Sequence, residues 1–233
     1  MLIKKSGVEK LATIRKSNFR FSSLVFYNIE TLSIILAYQK EVFTMRKSDE
    51  LDTSEVLDLA EEFARDRDID DVVVASTSGD TGLVAIKTFD PIEKNLVVVG
   101  HSTGFSDQNE QELNEEAIGK IERAGGKVFV GPMVFHNINS AIGDKEGFSS
   151  SDLVADTLRL FGQGTKVALE CVLMAADAGL VDAGKDVLSI AGTGSGVDTV
   201  LLIHSANSKD FFESRVKEVV AKPAKKENLK FWG

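Results

Sequence analysis

The sequence predicts an α/β fold, a three-layer α/β/α sandwich on a mostly parallel sheet. Three observations predict it. Short β-branched runs without polar alternation, Asp71-Val72-Val73-Val74-Ala75 and Leu96-Val97-Val98-Val99, suit strands buried on both faces. Segments of helical period separate these runs, and strand–helix alternation is the mark of parallel pairing. Loops of glycine and small hydroxyl residues come after the strands, at the edge where such folds gather ligands.

Asp52, Thr53 and Ser54 are N-cap candidates with Glu55 in the first turn, and Val56, Leu59, Ala60, Phe63 and Ala64 then recur at helical spacing. After the 71–75 strand the pattern predicts a helix over residues 81–89, then the 96–99 strand. A helix over 110–124 ends at Gly125-Gly126, with a strand over 127–130 behind it. An Asn- and Gly-rich loop leads to helices over 151–161 and 165–178. Strands are expected over 186–190 and 197–204, and a last, edge strand over 215–221. There is no internal repeat and no low-complexity linker.

The composition is that of a globular chain: 233 residues, 43% hydrophobic and 27% charged, with 19 Gly and 3 Pro. That apolar share argues against disorder, and no run approaches the ~18 apolar residues of a membrane span. The single cysteine, Cys171, excludes an intrachain disulfide and a multi-thiolate zinc site, and fits a reducing, cytoplasmic setting. His101, His136 and His204 lack paired ligand spacing, so no metal site is expected.

The net charge of −9 is unevenly divided. Residues 1–46 carry eight basic and three acidic side chains, net +5, which leaves the remainder at −14. An acidic body repels nucleic acid and anionic membranes, so neither is expected as a partner. Small anions are not excluded, because backbone N–H groups act locally. Residues 1–39 read as a basic N-terminal extension or a mis-called start, with a Ser-rich transit peptide as the alternative. The domain is expected over 40–223, with a tail over 224–233. A homo-oligomer is compatible with this composition.

Three loops carry candidate chemistry. Ser76-Thr77-Ser78-Gly79-Asp80-Thr81-Gly82 joins a strand to a helix, and its hydroxyls and N–H groups suit a phosphate at the helix N-terminus. A capped turn explains the same residues without a ligand. Gly100-His101-Ser102-Thr103-Gly104 matches G-x-S-x-G and raises a serine hydrolase with Ser102 as nucleophile, Asp182 or Asp198 as acid and His204 as base. Against it, Gly104-Phe105-Ser106-Asp107 stands where the nucleophile elbow needs a helix at once. Gly192-Thr193-Gly194-Ser195-Gly196 fits neither the Walker A nor the dinucleotide fingerprint, and reads equally as a hairpin turn or a glycine loop against a ligand. Lys166 at a helix start reads as a solvated lysine or an anion contact, Cys171 as core, and the acids over 108–116 as a solvated helix face.

Val74-Ala75-Ser76-Thr77-Ser78-Gly79-Asp80-Thr81 resembles the phosphate loop of the C-terminal α/β domain of pyruvate kinase, which reads much like Ser-Thr-Ser-Gly-Thr-Thr where a sugar bisphosphate activates the enzyme. Residues 41–223 resemble more closely the archaeal stand-alone proteins related to that domain, through residues 73–82, Thr103-Gly104-Phe105, 155–166 and 191–199. The resemblance implies a five-stranded mixed sheet, mostly parallel with one antiparallel edge strand, and a first short strand at Val42-Phe43-Thr44-Met45. It implies phosphate contacts at Ser76, Thr77, Ser78, Gly79 and Thr81, with Thr103, Gly104, Gly192, Thr193, Gly194 and Ser195 lining the rest. It also implies flavin mononucleotide (FMN) or another phosphorylated ligand as cofactor. Asp80 departs from the uncharged residue of the kinase loop, which counts against the sugar bisphosphate. Pyruvate kinase activity is not expected, because that chemistry belongs to a separate barrel domain.

Overall fold

A computed structural model describes residues 45–147 and 149–229; residues 1–39 and positions 42–44 of the expected first strand lie outside the described part. Met45 is described and stands before the first strand, β1 (Arg46–Lys47). The order continues α1 (Thr53–Asp66), β2 (Asp71–Ala75), α2 (Asp80–Thr88), β3 (Asn95–Gly100), α3 (Glu115–Arg123) and β4 (Lys127–Val130). Then come α4 (Asn137–Glu146), α5 (Ser150–Arg159), α6 (Gln163–Asp177), β5 (Asp186–Ala191), β6 (Thr199–His204) and β7 (Arg215–Lys222). Short 3-10 segments cover Ser208–Glu213 and Lys226–Asn228.

The α/β class holds, but the sheet has seven strands rather than five, in the order β1-β7-β6-β5-β2-β3-β4. All neighbours pair in parallel except β6, which runs against both β5 and β7. The one reversed strand therefore lies inside the sheet, not at its edge. β7 is not an edge strand either, because Arg46 and Lys47 pair with Ala221 and Lys222 outside it. Two exposed basic residues carry no apolar signal; pairing alone makes them a strand.

The β-branched runs are buried on both faces as their composition requires. Val73, Val97, Val99, Val187, Leu201 and Ile203 pack toward α6, together with Leu169, Val172 and Leu173. Val98, pointing the other way, lies under Gly82 of α2 beside Ile121 of α3. Each fully buried valine or leucine contributes about 1.5–3 kcal/mol relative to exposure. α4 has no buried residue, which is why its Asn- and Gly-rich sequence reads as loop. α3 begins at Glu115 rather than near 110, since residues 101–114 form a folded loop.

Helices between parallel strands run back across the sheet, so α1, α2, α3 and α6 begin at its carboxyl edge. Their starts differ. Asp52 caps α1 in a reciprocal box with Glu55, each contact 2.9 Å, and Asn114 caps α3. α2 and α6 start instead at Gly79 and Gly162, with no side-chain cap. Residues 224–229 of the expected tail fold back on the loop after β1: Asp49 accepts from the N–H groups of Ala224 and Lys225 and from Asn228 Nδ2.

Candidate functional site

The loop between β2 and α2 is built by glycine. Gly79 has φ +105°, and a Cβ there would stand 2.5 Å from the Ala117 Cβ of α3, so the turn needs a residue with no side chain. Ser76 is buried and works within the turn: its N–H donates to Val99 O at 2.9 Å and its hydroxyl accepts from Gly82 N at 3.2 Å. The N–H groups of Thr77, Ser78, Gly79 and Thr81 have no bonding partner among the described residues. These donors, at an uncapped helix start, form an arrangement that attracts an anion. Asp80 opposes it. Its carboxylate accepts from the Ser78 hydroxyl at 2.8 Å, so one expected phosphate ligand is already engaged by a negative group.

The next loop, residues 101–114, folds against the first. Asn114 N donates to Ser78 O at 3.1 Å. His101 Nδ1 lies 2.7 Å from Glu112 Oε2, and Glu112 Oε1 accepts from the Ser106 hydroxyl at 3.0 Å. Gln111 Nε2 donates to His101 O and to Thr103 Oγ1, and Gly104 N to Glu110 O. Thr103 and Gly104 are exposed at the tip of this loop. The acids over 108–116 are thus partly loop braces rather than a helix face. Nothing in the sequence singles out Glu112, whose pairing depends on a fold-back over eleven residues.

Beyond it lies a group of buried ions. Lys166 is 3% exposed and pairs with Glu170, itself 1% exposed, so Lys166 is not a solvated lysine. Glu170 also accepts from Phe135 N at 2.6 Å. Burial, reinforced by the positive charge of Lys166, pushes the His136 pKa down. Cys171, one residue after Glu170, is core, and burial pushes its thiol up.

The third loop, residues 192–198, turns β5 into β6 as a hairpin and also borders a cavity of about 390 Å³. Thr193 and Ser195 line that cavity with Ser48, Asp49, Asp52, Thr53 and Asp198 among others; none of Ser76, Thr77, Ser78, Gly79, Thr81, Thr103 or Gly104 does. Gly192 and Gly194 stay within the turn, and a Cβ on Gly192 would meet Gly196 O at 2.5 Å. The residues expected to form one site therefore divide into two neighbouring regions. Within the cavity the carboxylates differ. N–H groups and Asn228 hold Asp49 down to about 2, Lys225 N being the main contributor, whereas burial raises the Asp198 pKa against hydrogen bonds from Thr199 and Thr193.

The serine hydrolase arrangement does not assemble. Ser102 comes after β3 at the carboxyl edge, while His204 pairs in register with Asp186, the first residue of β5, at the amino edge. A parallel strand of five or six residues, at about 3.3 Å each, separates the two edges. Asp182 belongs to the amino edge too, its carbonyl accepting from the Ser205 hydroxyl. Ser102 Oγ instead accepts from Asn137 Nδ2 at 3.0 Å, and His204 Nδ1 lies 3.2 Å from Asp186 Oδ1. The reversed direction of β6 is the physical reason: it carries its last residue away from the loops. Among the described residues no group of three His, Cys, Asp or Glu side chains is placed to hold a metal. No helix among them is long and apolar enough to cross a membrane.

No family model matches the chain. Among solved structures, the crystal structure of a pyruvate kinase from Cryptosporidium parvum is similar to it at 12% identity and a TM-score of 0.34, over 66% of this chain and 23% of that one. The chain thus spans under a quarter of that kinase's length, and the likeness is too weak to carry an argument.

Proposed function

We propose that this chain binds a phosphorylated small molecule or mononucleotide at the carboxyl edge of its sheet, and that it is not itself a pyruvate kinase. The observation supporting this reading is the uncapped start of α2, where the N–H groups of Thr77, Ser78, Gly79 and Thr81 have no partner among the described residues. Such groups favour a phosphate through both hydrogen bonding and the helix dipole. The Ser78 and Thr81 hydroxyls are the side chains to complete the contact. The likeness of the loop to that of stand-alone archaeal relatives of a pyruvate kinase domain makes FMN the first candidate, in a cytoplasmic protein.

The residues fit the two ends of FMN unequally. The loop suits the phosphate. The neighbouring cavity, with Thr193, Ser195, Ser48 and three aspartates on its walls, suits hydroxyls better than a flat apolar ring. A ribityl or sugar phosphate is thus as well matched as the complete flavin.

Calorimetric titration with FMN, ribose 5-phosphate and inorganic phosphate tests the reading. Ser78→Ala with Thr81→Val is expected to weaken binding about tenfold, equivalent to 1.4 kcal/mol. Asp80→Asn is expected to strengthen it about two- to fivefold, because it removes a carboxylate beside the anion. If no phosphate compound binds the unaltered protein, the reading fails.

A further inference from the structure

We infer that residues 224–229 form a strap latched by the Asp49 carboxylate, that it opens as a unit without unfolding the domain, and that its closure completes the cavity beside the 192–198 hairpin. The inference is independent of the phosphate reading of the 76–81 loop.

The strap is held at few points. Ala224, Lys225, Lys226 and Glu227 are exposed, so the segment gains little from burying apolar surface. Leu229 approaches the start of α6, its Cδ2 lying 3.2 Å from where a Cβ on Gly162 would stand. Among the described residues, the strap's hydrogen bonds to the rest of the chain run only to Asp49 and Glu50. Asp49 accepts from Ala224 N at 3.0 Å, from Lys225 N at 2.9 Å and from Asn228 Nδ2 at 3.0 Å. The Lys225–Glu50 pair is 3.1 Å long with side chains 49% and 84% exposed, and such a pair contributes little. Asp49 is therefore the latch. Its donors, Lys225 N first among them, hold its carboxyl down to about 2, which keeps it ionised at neutral pH.

The chain just before the strap is fixed differently. Ser48 N donates to Lys222 O at 3.2 Å, and the buried Ser48 hydroxyl donates to Asp198 O. Pro223, itself buried, stands between that pin and the strap and marks the pivot. Within the strap, Asn228 N donates to Lys225 O, and Leu229 N to Lys225 O and Lys226 O, so the turn moves as one piece. Segments with few buried contacts and exposed hydrogen bonds are the ones that open locally.

The cavity of about 390 Å³ is bounded by Pro223 and Asn228 together with Ser48, Thr53, Thr193 and Asp198. Release of the latch removes the Asn228 wall and frees the Asp49 carboxylate, another of its lining groups. A group bound against Asn228 and the latched strap therefore stabilise each other.

Native-state hydrogen exchange and thiol labelling of Ser48→Cys, both near neutral pH, test the inference. The amides of Ala224, Lys225, Asn228 and Leu229 are expected to show similar protection, independent of urea below the unfolding transition. Asp49→Ala should lower that protection at least about tenfold, at Asn228 and Leu229 as well, whose own amide bonds do not involve Asp49, and leave the Ser48 amide unchanged. Ser48 lines the cavity yet is 3% exposed, so a cysteine there should be labelled slowly, and about tenfold faster once Asp49→Ala is added, with the buried Cys171 silent. Asp49→Asn, which keeps one acceptor oxygen, should fall between, and Lys225→Ala should change either readout less than about twofold. Strap amides that exchange only through urea-dependent global unfolding, or Asn228 and Leu229 protection untouched by Asp49→Ala, overturn the latch. Labelling at position 48 that is the same with and without Asp49 overturns the strap's part in the cavity.

Discussion

The two halves of the carboxyl edge are built from similar loops and end with opposite electrostatics. After β2, the glycine-hydroxyl loop runs into α2 and leaves the N–H groups of Thr77, Ser78, Gly79 and Thr81 without a partner among the described residues. After β5, a loop of nearly the same composition turns back as a hairpin, and its surroundings are Asp49, Asp52 and Asp198. The element into which each loop runs decides the difference. A helix start concentrates donors at one point, whereas a hairpin returns its N–H groups to neighbouring backbone and side chains, as Asp198 N does to Ala191 O and Val197 N to Thr53 Oγ1. Glycine and serine content alone therefore cannot tell an open helix start from a hairpin turn.

The largest expected effect lies in the first turns of α6, whose Gly164 abuts Asp198 and Thr199 of the acidic half. Lys166→Met leaves Glu170 ionisable, buried and without its cation, and about 3–5 kcal/mol of stability is expected to be lost in urea unfolding. Changing both residues together, Lys166→Met with Glu170→Leu, should recover most of that loss, because it removes the uncompensated charge. A leucine at position 170 still leaves Phe135 N without its acceptor, so recovery should fall short by about 1 kcal/mol.

The next effect sharpens the contrast at the turn itself. Gly79→Ala must adopt φ +105° and place a methyl 2.5 Å from the Ala117 Cβ, both unfavourable. A loss of about 2–3 kcal/mol is expected, with phosphate binding weakened as the N–H groups are displaced. Adding Ala117→Gly opens the space and should return only the steric part. A double substitution no more stable than Gly79→Ala alone would show that backbone strain, not crowding, sets the requirement.

Much of the scaffold was legible in the chain. The runs at 71–75, 96–99 and 186–190 could be read as strands because they are apolar on both faces, and α1 because a cap precedes its periodic stripe. α4 could not, since it buries nothing and so lacks a stripe, and β1 could not, since Arg46 and Lys47 are strand only through β7. The edge assigned to β7 failed for that same reason. In the candidate site, the 76–82 loop is local and was visible. The His101–Glu112 pair arises from a loop folding on itself, and the aspartate cavity joins residues about 150 positions apart, for which no sequence spacing gives a signal.

The smallest effects belong to the acidic half, where two aspartates around one cavity should respond to pH in opposite directions. Asp49 titrates at about 2 in the folded chain, below the ~3.9 of an unfolded aspartate. The unfolded state therefore binds more protons between those values, and the stability Asp49 contributes is complete above about pH 4 and lost as pH falls toward 2. Asp198 is shifted upward, mainly by burial. Over the window from the unfolded value up to its folded one, the folded state binds more protons, so stability falls as pH rises and the cost remains above that window. Asp198→Asn, which can still accept from Thr199, should thus be more stable than the unaltered protein near pH 7 and lose its advantage in acid. Asp49→Asn should be less stable near pH 7 and converge with the unaltered protein as pH approaches 2. Urea unfolding from about pH 2 to pH 7 reads both. Parallel rather than opposite pH profiles would mean that the two carboxylates titrate as one coupled pair across the cavity, and that the acidic half acts as a unit.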